Sequence, residues 1–158
     1  MTIPNMTVLG VRIFSRKMLL LGFGAILAGF MALQLVPYGW QHTNPPVLAE
    51  PAWDSPRTRE LAQTACFDCH SNETVWPWYS YVAPSSWFSI RHVNGGRGHL
   101  NFSEWPPRET DEIVEAVLEG EMPTWDYMLL HPDARLSDAD LQALADGLRA
   151  TVAASKLN

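Results

Sequence analysis

The sequence predicts an all-α protein in which one N-terminal transmembrane helix precedes a helical domain with long loops. Three observations support this fold class: residues 18–36 form an uncharged apolar run, later segments carry capped helical patterns, and no segment sustains the alternation of a β-strand. We therefore expect a cytoplasmic N-terminus at residues 1–17, a transmembrane anchor at 18–38, a proline-rich tether at 39–54 and a folded domain at 55–158.

The apolar run MLLLGFGAILAGFMALQLV is long enough to span a bilayer as a helix, which rises about 1.5 Å per residue across a hydrocarbon core of about 30 Å. It is preceded by three basic residues, Arg12, Arg16 and Lys17, and followed by the interfacial aromatics Tyr38 and Trp40. The positive-inside rule then predicts a single pass through a bacterial inner membrane with the N-terminus in the cytoplasm. A cleaved signal peptide is the alternative, although no small-x-small site closely follows the run. Either interpretation delivers the remaining chain to the periplasmic side.

The segment after the anchor favours an extended tether. Residues 41–54 (QHTNPPVLAEPAWD) contain three prolines and no apolar period. Pro45 and Pro46 favour extended backbone, so we expect this stretch to hold the domain away from the bilayer.

Three helical patterns follow. Ser55 is a predicted N-cap with Pro56 at the first helical position, and this helix runs into the cysteine motif. The second pattern follows Thr110 and stops at Gly120, and the third begins after Ser137. A shorter helix is predicted from Ser85 or Ser86 to His92, ending at Asn94, Gly95 and Gly96. The loops are long for so few helices, which a large apolar cofactor in the core would explain.

Charge is unevenly distributed. All 17 acidic residues and 8 of the 11 basic residues lie at or after Glu50, which gives that part a formal charge of −9. Such a surface repels nucleic acid and suits a basic protein partner.

The chain has only two cysteines, in the motif CFDCH at residues 66–70. The pattern Cys-x-x-Cys-His is typical of covalent haem attachment. The thiols of Cys66 and Cys69 would add across two porphyrin vinyl groups, and His70 would bind the iron. A thioredoxin-type redox motif would need a βαβ pattern, and a zinc site would need further ligands nearby, and the sequence offers neither. We therefore predict one covalently attached haem c.

The second axial ligand is predicted to be Met122, which precedes Pro123 in a loop between the second and third helices. A thioether ligand favours ferrous iron and raises the reduction potential. The alternatives are an open position or another side chain, which could be Met128, His92, His99 or His131.

Other residues have candidate roles around the haem. The segment WPWYSY at residues 76–81, followed by Trp87, is expected to pack in the core, with a patch near the bilayer or a partner as the alternative. The carbonyl of Pro77 or Pro84 could accept the Nδ1–H of His70. The haem propionates could pair with three side chains, Arg91, Arg97 and Trp105.

Five stretches carry a family resemblance: NPPV at 44–47, CFDCHSNET at 66–74, WPWYS at 76–80, LNFSEW at 100–105 and GEMP at 120–123. The cysteine motif, the Met-Pro loop and the last helix resemble class I cytochromes c. More specifically, residues 44–150 resemble the bacterial haem-binding domain family. The resemblance implies a cytochrome c-like domain whose first and last helices cross beside the haem and whose loops wrap it. It assigns no reaction.

These inferences predict a membrane-anchored electron carrier rather than an enzyme. Its expected partners are the lipid bilayer and redox proteins, including a respiratory or photosynthetic complex, but no nucleic acid. A haem sensor or small-ligand-binding module with an open sixth position is the alternative, and a peroxidase would need an open site with a distal His or Glu.

Overall fold

The computed structural model describes residues 16–106 and 111–156. Arg12 and Thr110, which support the predicted orientation and the second helix, lie outside the described residues. The α-helices are α1 (Arg16–Leu33), α2 (Pro56–Ala65), α3 (Phe67–His70), α4 (Ser85–His99), α5 (Asp111–Leu118), α6 (Trp125–Leu130) and α7 (Asp138–Ser155), and 3-10 helices span Trp78–Tyr81 and Pro132–Ala134. No β-strand occurs within the described ranges, which confirms the all-α prediction.

Helix α1 is the candidate membrane span. Its mean hydropathy is 1.6, and none of its side chains is buried by the protein. A compact unit ends at Pro37, and a second unit begins at Tyr38 and contains all the remaining helices. The helix is long and apolar enough to cross a bilayer, a property that an N-terminal signal sequence shares.

The ends of α2 and α7 follow the predicted capping chemistry. The Thr58 amide donates to Ser55 Oγ at 3.2 Å, and the Asp140 amide donates to Ser137 Oγ at 3.2 Å. These bonds satisfy backbone donors that the first turn of a helix leaves without a partner. At the end of α5, Gly120 has a φ of +72°, as its predicted role as a stop requires.

The core of the folded domain is built from four of its helices and one loop. Its buried apolar side chains are Leu61, Ala62, Phe67, Phe102, Val117, Leu144, Ala145 and Leu148. Phe67 and Phe102 stack with ring centroids 5.5 Å apart. Phe67 lies between Cys66 and Asp68, so this stack fixes the cysteine motif to the core.

Helix α4 differs from its predicted extent. The sequence predicts that it ends at Asn94, Gly95 and Gly96, but the helix continues to His99, where the Leu100 amide donates to the Gly96 carbonyl. Gly96 lies where α4 packs closely against α3, at a position that has no space for a side chain. Helix α6 and both 3-10 helices have no counterpart among the predicted elements.

Residues 39–54 differ from the expected tether. They are extended, but they are bonded to the folded domain instead of spanning free space. The Ala49 amide donates to the Ser103 carbonyl at 3.1 Å, and the Trp105 amide donates to the Ala49 carbonyl at 3.0 Å. The ring of Trp53 lies 5.2 Å from that of Phe102. The prolines suit this arrangement, since an extended segment with few amide donors can lie along a folded surface.

Candidate functional site

The cysteine motif occupies the junction between α2 and α3. The Cys66 amide donates to the Ala62 carbonyl, which closes α2, and the His70 amide donates to the Cys66 carbonyl at 2.8 Å, which forms the single turn of α3. Because Phe67 points into the core, Cys66, Cys69 and His70 are directed toward the adjacent cavity that they line.

Helix α4 holds this turn from the other side. A Cβ built on Gly96 would come within 2.9 Å of the Cys69 carbonyl carbon and 3.1 Å of the Cys69 Cβ. Only glycine fits this approach. The sequence predicts a helix end at this glycine pair, but it does not show that Gly96 contacts Cys69.

The His70 imidazole is oriented by a backbone acceptor. Its Nδ1 lies 3.1 Å from the Leu100 carbonyl oxygen. The predicted acceptors, Pro77 and Pro84, are therefore wrong, because the chain after α4 returns directly over the ring. With the proton on Nδ1, the lone pair of Nε2 is available for a metal. Burial lowers the pKa of His70, so the ring is neutral at neutral pH, as ligation requires.

The two thiols are also buried. Burial, with a smaller contribution from Cys69, raises the pKa of Cys66 to about 12. Burial and the nearby carboxylate of Asp68 raise the pKa of Cys69 to about 11. Redox-active thiols of the thioredoxin type have lowered pKa values, so these cysteines lack that activation. Within the described residues, no group of three or more His, Cys, Asp or Glu side chains could hold a metal ion, which argues against a zinc site.

The cavity beside the motif has a volume of about 810 Å³, within the range of ligand and cofactor sites. Its wall is mainly apolar and includes Phe88, Leu100, Phe102, Ile113, Val117 and Leu148. Met122 and Pro123 line the same cavity as Cys66, Cys69 and His70. The structure therefore brings together the four residues that the sequence assigns to haem attachment and ligation. The size, apolar wall and donor set fit a haem.

The other candidate axial ligands divide into two groups. His92 and His99 line the cavity, whereas Met128 and His131 do not. His131 instead bonds through Nε2 to the Tyr79 hydroxyl at 2.6 Å, and its ring stacks on Tyr127 at 4.0 Å. The candidates that line the cavity are therefore Met122, His92 and His99.

Of the proposed propionate partners, Arg91 lines the cavity. Arg97 has protein partners: its Nε donates to the Ser71 carbonyl at 2.7 Å, and its terminal nitrogens donate to Thr43, Asn44 and Thr74. Trp105 donates its indole N–H to Ser155 Oγ at 2.8 Å. Neither Arg97 nor Trp105 lines the cavity, and their role toward propionates stays a prediction.

Tyr127, which lines the cavity, forms a side-chain pair with Asp68 that the sequence does not predict. The Tyr127 hydroxyl donates to Asp68 Oδ2 at 2.8 Å, and Asp68 Oδ1 accepts from the Val75 amide at 2.9 Å. Burial and the charge of Asp68 raise the pKa of Tyr127, so this tyrosine remains a hydrogen-bond donor. The pair links the cysteine motif to α6, an element that the sequence did not predict.

A family model described as a haem-binding domain matches residues 28–150. The match includes the cysteine motif, the whole cavity wall and most of α7. Comparison with curated proteins and with solved structures gave no match.

Proposed function

The chain belongs to the haem-binding domain family, and on that premise we propose that it is a membrane-anchored monohaem c-type cytochrome. It carries single electrons on the periplasmic side of a bacterial inner membrane, as an electron carrier rather than a catalyst. The observation that carries this proposal is the convergence of Cys66, Cys69, His70 and Met122 on one apolar cavity of about 810 Å³.

Each of these residues has a distinct role. Cys66 and Cys69 would hold the haem through two thioethers, each of which requires addition of a thiol S–H across a haem vinyl group. His70 would bind the iron through Nε2, and its hydrogen bond to the Leu100 carbonyl fixes the ring orientation and increases the basicity of Nε2. Met122 would supply the second iron ligand, and its soft sulfur would favour the ferrous state. When bound, the haem supplies a one-electron ferric–ferrous couple.

The cavity wall and the charge of the domain are consistent with electron transfer rather than with catalysis. The mainly apolar wall, together with ligation by His70 and Met122, would tune the reduction potential of a bound haem. Arg91 lines the same cavity, and we assign its guanidinium to a haem propionate. The acidic outer surface suits a basic redox partner, which could belong to a respiratory or photosynthetic complex.

Membrane attachment is the second part of the proposal. Helix α1 begins with Arg16 and Lys17, and the next charged residue is Glu50. A helix of this composition that remains uncleaved would anchor the chain in one pass, with the basic residues in the cytoplasm. The domain that follows would then lie in the periplasm, where haem is attached.

A second function has one observation in its favour. Met122 lies in the loop between α5 and α6, and a ligand on a loop would leave the iron more readily than a ligand on a packed helix. A haem whose sixth position opens readily suits a sensor or small-ligand-binding module.

The visible spectrum of the full-length, haem-loaded chain tests the two functions. An electron carrier is expected to be low-spin in both oxidation states, to show the weak red sulfur-to-iron band when ferric, and to titrate as a one-electron couple. It should not bind carbon monoxide at neutral pH. A high-spin spectrum with rapid carbon monoxide binding would instead establish the ligand-binding module.

A further inference from the structure

Exposed aromatic side chains gather where the folded domain begins. Trp78 and Tyr81 lie three residues apart on a 3-10 helix, so their side chains share one side of it. The Tyr81 ring stacks on His42 at 4.1 Å. His42 Nε2 donates to the Ser80 carbonyl at 2.7 Å, and His42 Nδ1 lies 3.1 Å from the Trp40 carbonyl oxygen. We call Trp40, Trp78 and Tyr81 the aromatic face, and all three are exposed.

The aromatic face is uncharged in a strongly acidic domain. No Asp, Glu, Lys or Arg occurs at residues 18–49 or 74–90, the two stretches that supply it. Another exposed apolar group, Trp125 and Leu129 on α6, differs in this respect, because Asp126 follows Trp125 directly. An anionic membrane surface repels acidic protein, so the aromatic face is the better suited of the two to approach lipid.

Chain length keeps the start of the domain near the anchor. Helix α1 ends at Leu33, and Gly39 is already part of the domain, where a Cβ built on it would lie 2.7 Å from Ser86 Oγ. Residues 34–38 can span at most about 20 Å, since an extended chain covers about 3.5 Å per residue. The bonded residues 39–54 add no free length, because they lie along the domain.

We propose that Trp40, Trp78 and Tyr81 dock the domain on the headgroup region of the bilayer, so that the domain has a fixed orientation instead of swinging on a tether. Tryptophan and tyrosine favour this region because each side chain combines an apolar ring with a polar group that can hydrogen-bond to headgroups or water. The inference rests on the single-pass anchor of the proposed function, but not on the haem ligands or on electron transfer.

Hydroxyl-radical footprinting of the full-length, haem-loaded chain tests the docking. The chain is placed in phosphatidylcholine nanodiscs at one copy per disc, and mass spectrometry measures the oxidation rates of individual side chains. Trp78 and Trp125 provide a matched pair, because they are 79% and 73% exposed within the protein. Docking predicts that Trp78 is oxidised several-fold more slowly than Trp125. Equal rates, or slower oxidation of Trp125, would overturn the proposal.

Two variants test whether the aromatic face causes the protection. In Trp78→Ser/Tyr81→Ser, Trp40 should become several-fold more reactive than in the parent chain. The matched variant Trp125→Ser/Leu129→Ser removes exposed apolar side chains from α6 and should leave Trp40 protected. The haem absorption spectrum of each variant verifies that the domain is folded.

The remaining outcomes distinguish lipid from a second copy of the chain as the partner that covers the aromatic face. Protection of Trp78 that appears only with two copies per disc would mean that a second copy covers the face, and would overturn the lipid proposal. Protection should weaken when anionic lipid is added, because the domain is acidic. A chain that alkaline extraction releases from the membrane would refute the anchor and the docking together. A high-spin haem with a protected Trp78 would contradict the electron carrier and leave the docking supported.

Discussion

Gly96 on α4 lies directly against the peptide of Cys69, at the turn that presents both cysteines and His70. The carbonyl of the same glycine accepts from the Leu100 amide, and the Leu100 carbonyl in turn accepts from His70 Nδ1. One small residue therefore positions both the attachment cysteine and the backbone acceptor of the proximal histidine.

Replacing this glycine should disturb the haem site. Gly96→Ala gains up to about 1 kcal/mol of helix propensity, but the clash with rigid backbone costs about 1–3 kcal/mol. We expect a lower unfolding temperature and less haem retained on a denaturing gel. Gly98→Ala is the matched control on the same helix, because a Cβ there meets nothing within 4 Å. Equal behaviour of the two variants would refute the positioning role.

The covalent attachment predicts a graded result when the thiols are removed. Cys66→Ser leaves one thioether at Cys69, so haem should remain on the polypeptide through a denaturing gel. Its pyridine haemochrome band should shift toward that of haem with an unreacted vinyl group. Cys66→Ser/Cys69→Ser should lose all haem on the gel, because these are the only cysteines in the chain. Haem retained by the double variant would contradict thioether attachment.

The interpretation from sequence succeeded where the determining chemistry is local. Ser55 and Ser137 cap α2 and α7 because a serine oxygen and an amide three residues later form a complete unit. The cysteine motif is equally local, since the two thiols and the histidine lie on five consecutive residues.

The sequence does not predict features that depend on contacts between residues far apart in the chain. Gly95 and Gly96 have the composition of a helix stop, yet α4 continues to His99, and Gly96 lies against the peptide of Cys69, which is far away in sequence. The acceptor for His70 is a leucine carbonyl thirty residues away, a group that no side-chain pattern reveals. Pro45 and Pro46 predict extended backbone, but not the surface along which that backbone lies.

The distal ligand can be tested with two methionines. Met122→Ala removes the thioether that lines the cavity, so the ferric protein should lose its red sulfur-to-iron band and the ferrous protein should bind carbon monoxide. The reduction potential should fall, because the ligand that favours ferrous iron is gone. Met128→Ala is the control, since Met128 does not line the cavity. Loss of the band in Met128→Ala alone, or its persistence in Met122→Ala, would disprove the assignment.

The side chain of Asn72 connects three separate parts of the domain. Its side chain is buried: Nδ2 donates to the Pro46 carbonyl at 3.0 Å and to Glu104 Oε1 at 3.2 Å, and Oδ1 accepts from Asn101 Nδ2 at 2.9 Å. One amide therefore joins the extended segment, the chain after the cysteine motif and the loop after α4. Asn72→Ala leaves both the Pro46 carbonyl and the Asn101 amide without this partner.

Leaving buried polar groups unsatisfied costs about 1–3 kcal/mol, so Asn72→Ala should lower the free energy of unfolding by that amount. Asn72→Asp keeps the acceptor for Asn101 but loses both donors and places a carboxylate beside Glu104, so it should be at least as destabilising. Asn94→Ala, at an exposed position on α4, should change stability by less than about 0.5 kcal/mol. Guanidinium unfolding followed by haem absorption and circular dichroism measures all three. If Asn72→Ala were as stable as Asn94→Ala, the amide would not be what holds the extended segment to the domain.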